Sequence, residues 1–425
     1  MRCVVGRSCK RAYDKCRGFT TGSAGQLGLF SDKKNTLDLI AMEGHFDIAV
    51  IGGGIAGLSL AAELAPEANV VVLEAEDQPG YHATGRSAAI FAQNYGSCLI
   101  RALTAWSASA YGSPGDDVLS PRGLIRIAQP HQEGALHALY REMAADCALT
   151  WLDAEEISLR VPLLRHGWAV CGFANEHAAD MDVAAIMAGY IKRVAAAGGR
   201  IQSGFSAQTF ERGAGGWAIR SDSCQNIAAR ILVNAAGAWA DEVALRAGVA
   251  PTGLIPRRRS VVAFDPPTVT AVARMPMVVD AEERFFLKPE GAGLIASPCD
   301  ETPAAPGDSR PEEIDIAICI DRIEQAFALE IRRPRATWSG LRTFAPDGNP
   351  VCGWDMAVPG FYWLAGQGGY GVQTAPALAR IAADDLLGRT GERRAKMARV
   401  DSSSLAPDRF HGNNKTKLVK QGEWI

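Results

Sequence analysis

The most informative pattern along the chain is a glycine cluster set among short apolar runs between residues 46 and 73. Residues 46–51 are rich in β-branched and apolar side chains and predict a strand. Residues 55–64 have helical composition, and residues 69–73 are β-branched again. Strand, turn, helix and strand fit within about thirty residues, the size of one βαβ unit. We therefore predict an α/β fold for this part of the chain.

The alternation of helical and β-rich segments returns later in the chain. A helix is predicted over residues 183–197 and a strand over residues 231–234. A glycine-rich turn at 366–371 leads into a predicted helix over 373–387. Pro- and Gly-rich breaks fall at residues 113–115, 266–267 and 303–307.

Composition narrows the classes of protein to consider. The 425 residues are 48% hydrophobic, and the net charge of −3 gives no reason to expect nucleic acid as a partner. The ten cysteines form no CxxC pair and no Cys/His ligand spacing, which favours a reducing compartment and no metal site. No apolar run has membrane-spanning length. We expect a cytoplasmic protein of about two or three domains without an integral membrane segment.

The two ends of the sequence differ from the middle. Residues 1–44 are rich in Lys and Arg and lack the apolar stretch of a secretory signal. They are either a targeting segment of transit-peptide type or an upstream extension with Met42 as the natural start. We favour a disordered extension. Residues 391–425 are polar and basic and predict a mobile C-terminal tail.

The glycine cluster has the spacing of a dinucleotide-binding turn, with Gly52, Gly54 and Gly57 in the glycine positions. The first glycine permits the tight turn, the second lets the backbone approach a pyrophosphate, and the third lets the helix pack close to the strand. The helix that starts at Ile55 and Ala56 would present free N–H groups and a partial positive charge to the phosphates.

Glu74 strengthens this interpretation because it ends the second predicted strand, seventeen positions after Gly57. A carboxylate there accepts hydrogen bonds from the ribose of an adenosine. The alternative is an ordinary strand–helix turn. The placement of the acid favours a dinucleotide site.

Several further stretches, together with the glycine turn, resemble the FAD-dependent D-amino acid oxidase and dehydrogenase superfamily. The resemblance covers about residues 46–388 and is closest to the bacterial D-arginine dehydrogenases. The stretches that carry it are residues 78–89, 232–239, 256–260, 286–289, 338–342 and 367–374. The resemblance implies a bound FAD. We expect it to be held non-covalently, because no cysteine sits in a recognised attachment context.

The resemblance also implies two interleaved domains. A Rossmann-like FAD-binding domain would take residues 45–118, 181–244 and 341–390. An α+β substrate domain, built on a mixed or antiparallel sheet, would take residues 119–180 and 245–340.

The resemblance implies a larger set of FAD-contacting residues beyond the first turn. The turn at 366–371 leads into a helix whose N-terminus would face the flavin and stabilise the negative charge of the reduced ring. The additional residues expected at the cofactor are Gly85, Arg86, Ser87, Ala88, Ala236, Gly237, Trp239, Gly366, Gly368, Gly369, Tyr370, Gly371, Val372, Gln373 and Thr374.

Arg259 and Arg342 are the residues that we expect to bind substrate. A guanidinium pairs with a carboxylate through two hydrogen bonds, and in the resembling enzymes the matching arginines hold the substrate carboxylate. Two arginines would orient the Cα–H toward the flavin. Tyr95 matches a tyrosine of a mobile loop over the site, although a core position is equally compatible with it. Gln373 completes the expected catalytic set.

Other arginines and some departures from the resembling enzymes shape the expected pocket. Arg257 and Arg258 are interpreted as surface ion pairs. Ile90, Leu124 and Phe286 replace a histidine, a glutamate and a tyrosine. A buried pocket without an acid should reject a cationic side chain, since an unpaired buried charge costs several kcal/mol. We therefore expect a substrate with a carboxylate and an uncharged, apolar side chain.

The expected reaction is hydride transfer from the substrate Cα to flavin N5, followed by hydrolysis of the imino acid to a 2-oxo acid and ammonia. No dedicated general base is identified. Oxygen, a quinone or an electron-transfer protein remain possible electron acceptors. The alternatives are a secondary-amine oxidase of sarcosine type, a 2-hydroxy-acid dehydrogenase, and a flavin-binding protein without catalysis.

Overall fold

The computed structural model describes residues 44–112, 118–266, 272–389 and 402–410. The predicted extension at the N-terminus, up to residue 43, lies outside these residues. In chain order the strands are β1 (His45–Ile51), β2 (Val70–Leu73), β3 (Ile90–Phe91), β4 (Leu119–Pro121), β5 (Leu124–Ala128), β6 (Thr150–Asp153), β7 (Cys171–Asn175), β8 (Ala179–Met181), β9 (Arg200–Gln202), β10 (Ala207–Gly213), β11 (Gly216–Ser221), β12 (Asn226–Asn234), β13 (Ile255–Phe264), β14 (Met277–Asp280), β15 (Phe286–Glu290), β16 (Gly293–Ser297), β17 (Ala336–Phe344), β18 (Val351–Trp354), β19 (Phe361–Ala365) and β20 (Gln367–Gly368).

The helices alternate with these strands. In chain order the α-helices are α1 (Ile55–Leu64), α2 (Cys98–Tyr111), α3 (Glu133–Met143), α4 (Ala154–Arg160), α5 (Val183–Ala196), α6 (Ala240–Arg246), α7 (Glu313–Ala326) and α8 (Gly371–Leu386). Short 3₁₀ turns are formed by Pro130–Gln132, Gly237–Trp239, Ser402–Ser404 and Pro407–Phe410.

The first sheet has a parallel centre. β9, β2, β1, β12 and β19 lie side by side and run in the same direction. β10 and β11 extend the sheet beyond β12 in antiparallel fashion, and β18 pairs antiparallel with β19. Parallel strands require crossover connections, and α1 provides the one between β1 and β2.

Both faces of the first sheet are covered, as a parallel sheet requires. On β2, Val70 and Val72 face a core shared with α1, α5 and α8, whereas Val71 and Leu73 face a second core that contains Trp363. The continuous β-branched run of β2 thus reflects burial on both faces. The α/β class and the βαβ unit predicted from the sequence are confirmed.

The second sheet is mixed, in the order β20-β17-β13-β16-β15-β14-β5-β7-β6. All its pairs are antiparallel except β14 with β5. On β5, Ile125 and Ile127 face a core that includes residues of α7, whereas Leu124 faces a smaller cluster with Val279 and Phe286. A small third sheet, in the order β3-β8-β4, stands apart from these two. The predicted mixed sheet is confirmed.

Residues 402–410 depart from the expectation of a mobile C-terminal tail. Leu405 is buried, and its carbonyl accepts a hydrogen bond of 2.8 Å from the N–H of Cys352 on β18. Arg409 donates to Asp347 at 2.8 Å and to the carbonyl of Asn349 at 3.0 Å. This part of the predicted tail is therefore a packed segment. The rest of it lies outside the described residues.

Candidate active site

The parallel strands of the first sheet end at one edge, where three cavities adjoin. Ile51, Leu73, Asn234 and Ala365 end β1, β2, β12 and β19, and the loops that follow them line the cavities. This edge is where open α/β sheets bind ligands.

We name the three cavities by position. The outer cavity, about 450 Å³, includes Glu74 and Trp239. The central cavity, about 140 Å³, shares Gly54 and Thr84 with it. The inner pocket, about 50 Å³, shares Arg342 with the central cavity. Together they form a continuous path that starts at the end of β2 and reaches the face of the second sheet.

Glu74 anchors the turn that separates the outer and central cavities. Its buried carboxylate accepts hydrogen bonds from the N–H of Gly53 at 2.6 Å and of Glu76 at 2.9 Å. Across the outer cavity, the ring of His82 lies 4.6 Å from that of Trp239, centroid to centroid. The outer cavity thus offers a carboxylate and two aromatic rings to a ligand.

The glycine turn has the geometry that its spacing predicts. Gly52 adopts a φ of +105°, in the region that favours glycine. A Cβ on Gly57 would lie 1.9 Å from the carbonyl oxygen of Gly52, so only glycine lets the helix start this close to the strand. Gly57 therefore supports the turn without lining a described cavity. Ile55 and Ala56, at the start of α1, line the central cavity.

Thr84 lines the outer and central cavities but was not predicted from the sequence. Its buried hydroxyl accepts a hydrogen bond of 3.1 Å from the N–H of Ile55, at the N-terminus of α1. It lies within the loop 78–89 that carries the resemblance, which is the signal that could have identified it. Arg86, from the same loop, donates to the carbonyl oxygens of Ser309 and Ser339 and forms an ion pair with Asp308.

Most of the predicted cofactor residues line the outer or central cavity, but some do not. Those that line one of them, besides the turn residues and Glu74, are Arg86, Ser87, Ala88, Ala236, Gly237, Trp239, Gly366, Gly368, Gly369, Gly371 and Val372. Gly85, Tyr370 and Thr374 line none of the three cavities. The Thr374 hydroxyl donates to the carbonyl of Tyr370 at 2.8 Å, inside the first turn of α8.

Arg259 and Arg342 both line the inner pocket, as the sequence predicts them to lie together. Arg259 is buried; its Nη2 donates to Glu301 at 2.8 Å, and its Nε has no hydrogen-bond partner. Arg342 forms no ion pair with any described residue. Its Nη1 would lie 2.8 Å from a Cβ on Gly369, so the glycine lies directly against this guanidinium.

The strand register explains which arginines share the pocket face. Arg257 lies opposite Arg342 in the β13–β17 pair, so Arg257, Arg259 and Arg342 point to one face and Arg258 to the other. Arg258 is buried there among Asp300, Glu312 and Asp315. The expectation of a surface ion pair is therefore wrong for Arg258, which forms a buried charge network.

Tyr95 and Gln373 line the inner pocket in different ways. The ring of Tyr95 lies 5.0 Å from that of Tyr370, and burial raises the pKa of its hydroxyl, so it stays protonated. The amide of Gln373 is occupied within the protein: Nε2 donates to Thr104 at 2.9 Å, and Oε1 accepts from the N–H of Ala92 at 3.4 Å. Gln373 thus links α8, α2 and the chain after β3.

The three substituted positions also line the inner pocket: Ile90, Leu124 and Phe286. The expectation of a pocket without an acid is wrong, because Glu283 lines it as well, paired with Arg126 at 2.8 Å. Both were missed from the sequence. Arg126 lies two positions after Leu124 on β5 and so shares its face, a periodicity that could have revealed it.

Comparison with known proteins identifies the family. Residues 47–385 match the FAD dependent oxidoreductase family. The protein belongs to this family. This FAD-dependent oxidoreductase is 24% identical over 402 residues to FAD-dependent oxidoreductase domain-containing protein 1 of Bos taurus, covering 80% of this chain and 81% of that protein. It is 26% identical over 376 residues to a glycine oxidase of Pseudomonas aeruginosa, covering 80% and 95%.

One further related sequence and one solved structure are also similar to this FAD-dependent oxidoreductase. It is 29% identical over 221 residues to L-2-hydroxyglutarate dehydrogenase of Salmonella houtenae, covering 49% of this chain and 52% of that protein. Its fold matches the crystal structure of glycine oxidase from Geobacillus kaustophilus with a TM-score of 0.69 and 21% identity, covering 82% and 96%.

The outer and central cavities fit FAD. They adjoin one another, and both are lined by Gly54, Thr84 and Gly237. The helices α1 and α8 both begin at the central cavity, and neither is capped by the side chain of the residue that precedes it. Thr84 accepts one N–H of α1, that of Ile55, and the dipoles of both helices favour negative charge at this cavity. A pyrophosphate and a reduced flavin, both anionic, match these two helix ends.

Two further features are absent from the described part of the chain. No helix there is long and apolar enough to cross a membrane. No group of His, Cys, Asp and Glu side chains among them could hold a metal ion.

Proposed function

We propose that this enzyme oxidises the Cα–N bond of an amino acid that binds in the inner pocket. The observation that carries the proposal is the free guanidinium of Arg342, which faces a small pocket that opens into the FAD cavity. Arg342 is half-buried, and a guanidinium partly removed from water without a carboxylate partner is costly unless a ligand supplies one. A substrate carboxylate would complete this ion pair through two parallel hydrogen bonds.

The residues of the inner pocket would orient the substrate. Arg342 and Arg259 would hold the carboxylate, which fixes the position of the Cα–H relative to the flavin. FAD, when bound, supplies the acceptor of the hydride that leaves Cα. The amine reacts in its neutral form and loses a proton, and water then hydrolyses the imino acid to a 2-oxo acid and ammonia. Leu124, Met277 and Phe286 exclude bulk water from the pocket.

The contacts with FAD are part of the same proposal. Glu74 would accept from the adenosine ribose, the start of α1 would meet the pyrophosphate, and the start of α8 would meet the flavin. FAD would be held non-covalently. The similarity to the glycine oxidase supports an amino-acid substrate. The resemblance to D-arginine dehydrogenases supports the D configuration. An uncharged side chain is supported by the pocket lining, where Arg126, Arg259 and Arg342 outnumber Glu283.

A second candidate is oxidation of a 2-hydroxy acid, favoured by the similarity to L-2-hydroxyglutarate dehydrogenase. Removal of a hydroxyl proton calls for a general base, usually histidine. None of the described residues that line the inner pocket is a histidine. The amino-acid reaction needs no such base, because the amine reacts in its neutral form. It therefore fits the pocket better.

The test is anaerobic reduction of the bound flavin by a panel of D- and L-amino acids, N-methyl amino acids and 2-hydroxy acids, followed by admission of air. We expect bleaching by a small D-amino acid with an uncharged side chain. Arg342→Lys should raise the KM for that substrate by about tenfold or more. Arg257→Lys, on the same face of the sheet, serves as the control. Bleaching by hydroxy acids alone, or equal effects of the two variants, would contradict the proposal.

A further inference from the structure

Glu283 presents a carboxylate to the inner pocket, and Arg126 supports it from behind. Arg126 Nη2 lies 2.8 Å from Glu283 Oε1. The side chain of Arg126 is 5% exposed, whereas that of Glu283 is 41% exposed. Both side chains line the pocket, and the carboxylate of Glu283 is the more accessible partner of the pair.

The chain between β14 and β15 is built to hold Glu283 in this position. Asp280, fully buried, accepts hydrogen bonds from the N–H groups of Glu282 at 3.0 Å and Arg284 at 3.2 Å. Glu283 itself adopts a φ of +55°, a conformation that costs energy for a residue other than glycine. Strained residues persist where the surrounding structure fixes them, and they cluster at functional sites.

Positive charge surrounds Glu283 on several elements. Arg126 lies on β5, Arg259 on β13 and Arg342 on β17, and Tyr95 and Cys299 also face the pocket. Burial alone raises the pKa of the Glu283 carboxyl, but these three arginines together lower it below its usual value. Glu283 is therefore ionised at neutral pH and able to bind a cation.

We propose that Glu283 binds the positively charged nitrogen of a small amino or imino acid whose carboxylate lies on Arg342. This proposal rests on the proposed function and specifies its substrate as a compact zwitterion. The volume of about 50 Å³ supports a short side chain, because a single water needs roughly 10–15 Å³. Since the amine reacts in its neutral form, Glu283 acts before the chemical step, by selecting and positioning the nitrogen.

Other occupants of the Glu283 end fit less well. A second carboxylate would lie close to Glu283, the more accessible partner of the Arg126 pair, and be repelled by it. A cationic side chain would meet three arginines against one glutamate in the same pocket. A zwitterion places its negative end at Arg342 and its positive end at Glu283, so each charge has an opposite partner.

The test uses the FAD-loaded enzyme and two ligands that differ only in the amine. 2-Aminoisobutyrate has no hydrogen on Cα and cannot be oxidised there, and 2-methylpropanoate lacks the amine. Both are titrated by their effect on flavin absorbance. We expect the wild-type enzyme to prefer the amino acid, and Glu283→Gln to lose about tenfold or more of this preference. Binding of 2-methylpropanoate should stay equal or tighten. Glu282→Gln, in the same turn but outside the pocket lining, is the matched control.

Each remaining outcome bears on one proposal. An unchanged preference in Glu283→Gln overturns the role of Glu283, while flavin reduction by amino acids still supports the proposed function. Selective loss of binding of lysine or of aspartate in that variant also overturns it. If Glu283→Gln fails to fold, Glu283→Asp, which keeps the charge one methylene further back, must show a reduced preference. Failure of every amino acid to reduce the wild-type flavin overturns the proposed function itself.

Discussion

Gly369 is a residue whose lack of a side chain determines the position of another side chain. A Cβ there would lie 2.8 Å from Nη1 of Arg342, too close for a van der Waals contact. Gly369→Ala should therefore displace the guanidinium and raise the KM for the amino-acid substrate by about tenfold, with FAD still bound. Gly189→Ala is the control, because a Cβ on Gly189 meets nothing within 4 Å. Steady-state kinetics with flavin absorbance check this, and an unchanged KM would show that Arg342 does not bind the carboxylate.

The pair of Glu283 and Arg126 predicts a defined pH dependence of stability. The pKa of Glu283 is lowered from its usual 4.5 in the folded protein, chiefly by Arg126 against the opposing effect of burial. Its stabilising contribution is therefore fully present above pH 4.5 and is lost as the pH falls through the lower, folded pKa. The difference in free energy of unfolding between wild type and Glu283→Gln, measured with urea, should be constant from neutral pH to pH 4.5 and shrink below it. A difference that grows on acidification would contradict the pairing.

The sequence revealed some residues of the site and concealed others for physical reasons. Gly52, Gly54 and Gly57 were visible because their roles depend on local geometry at a fixed spacing. Arg342 and Arg259 were visible through resemblance, and their shared face follows from the register of β13 with β17. Glu283 was not visible, since its approach to Arg126 depends on a turn held by buried Asp280 and on strands far apart in sequence.

At the scale of elements, the packed segment 402–410 is the part most easily overlooked. Leu405 is 1% exposed and lies beside β18. Leu405→Ala should lower the free energy of unfolding by about 2–5 kcal/mol, because it removes buried methyl groups and leaves a cavity. Asp408→Ala, at an exposed position of the same segment, should change it by less than about 0.5 kcal/mol. Urea unfolding measures both, and equal values would mean that the segment does not contribute to the core.

Helices that depend on local sequence lie close to where the sequence predicts them. Segments whose structure depends on distant partners were not predicted. The helix predicted over residues 55–64 is α1, and that over 183–197 ends one residue earlier, at Ala196. The last helix begins at Gly371 rather than at residue 373, because the glycine-rich turn itself enters the helix. Leu405 gave no signal, because it and Phe410 are the large apolar residues of a short, mostly polar stretch, and its contacts come from β18.

At the scale of the whole molecule, the chain passes repeatedly between the two large sheets. β1 and β2 belong to the first, β5 to β7 to the second, β9 to β12 to the first, β13 to β17 to the second, and β18 and β19 to the first again. Each sheet is thus assembled from segments separated by the other, and all the described residues fall within one compact unit, Ala41–Ile425. The proposed FAD-binding and substrate domains are therefore interleaved along the chain and should not fold separately.

This connectivity predicts one cooperative unfolding transition. Because the outer cavity is lined by Ile51 and Leu73 of the first sheet and by Gly340 and Leu341 of the second, release of FAD should coincide with loss of secondary structure. In urea, the rise of free-flavin fluorescence and the loss of far-UV circular dichroism should share one midpoint. Added FAD should shift both midpoints upward together, since a ligand that binds only the folded state stabilises the whole of it. Two separate transitions, with FAD raising only the first, would show instead that one sheet folds and holds the cofactor independently of the other.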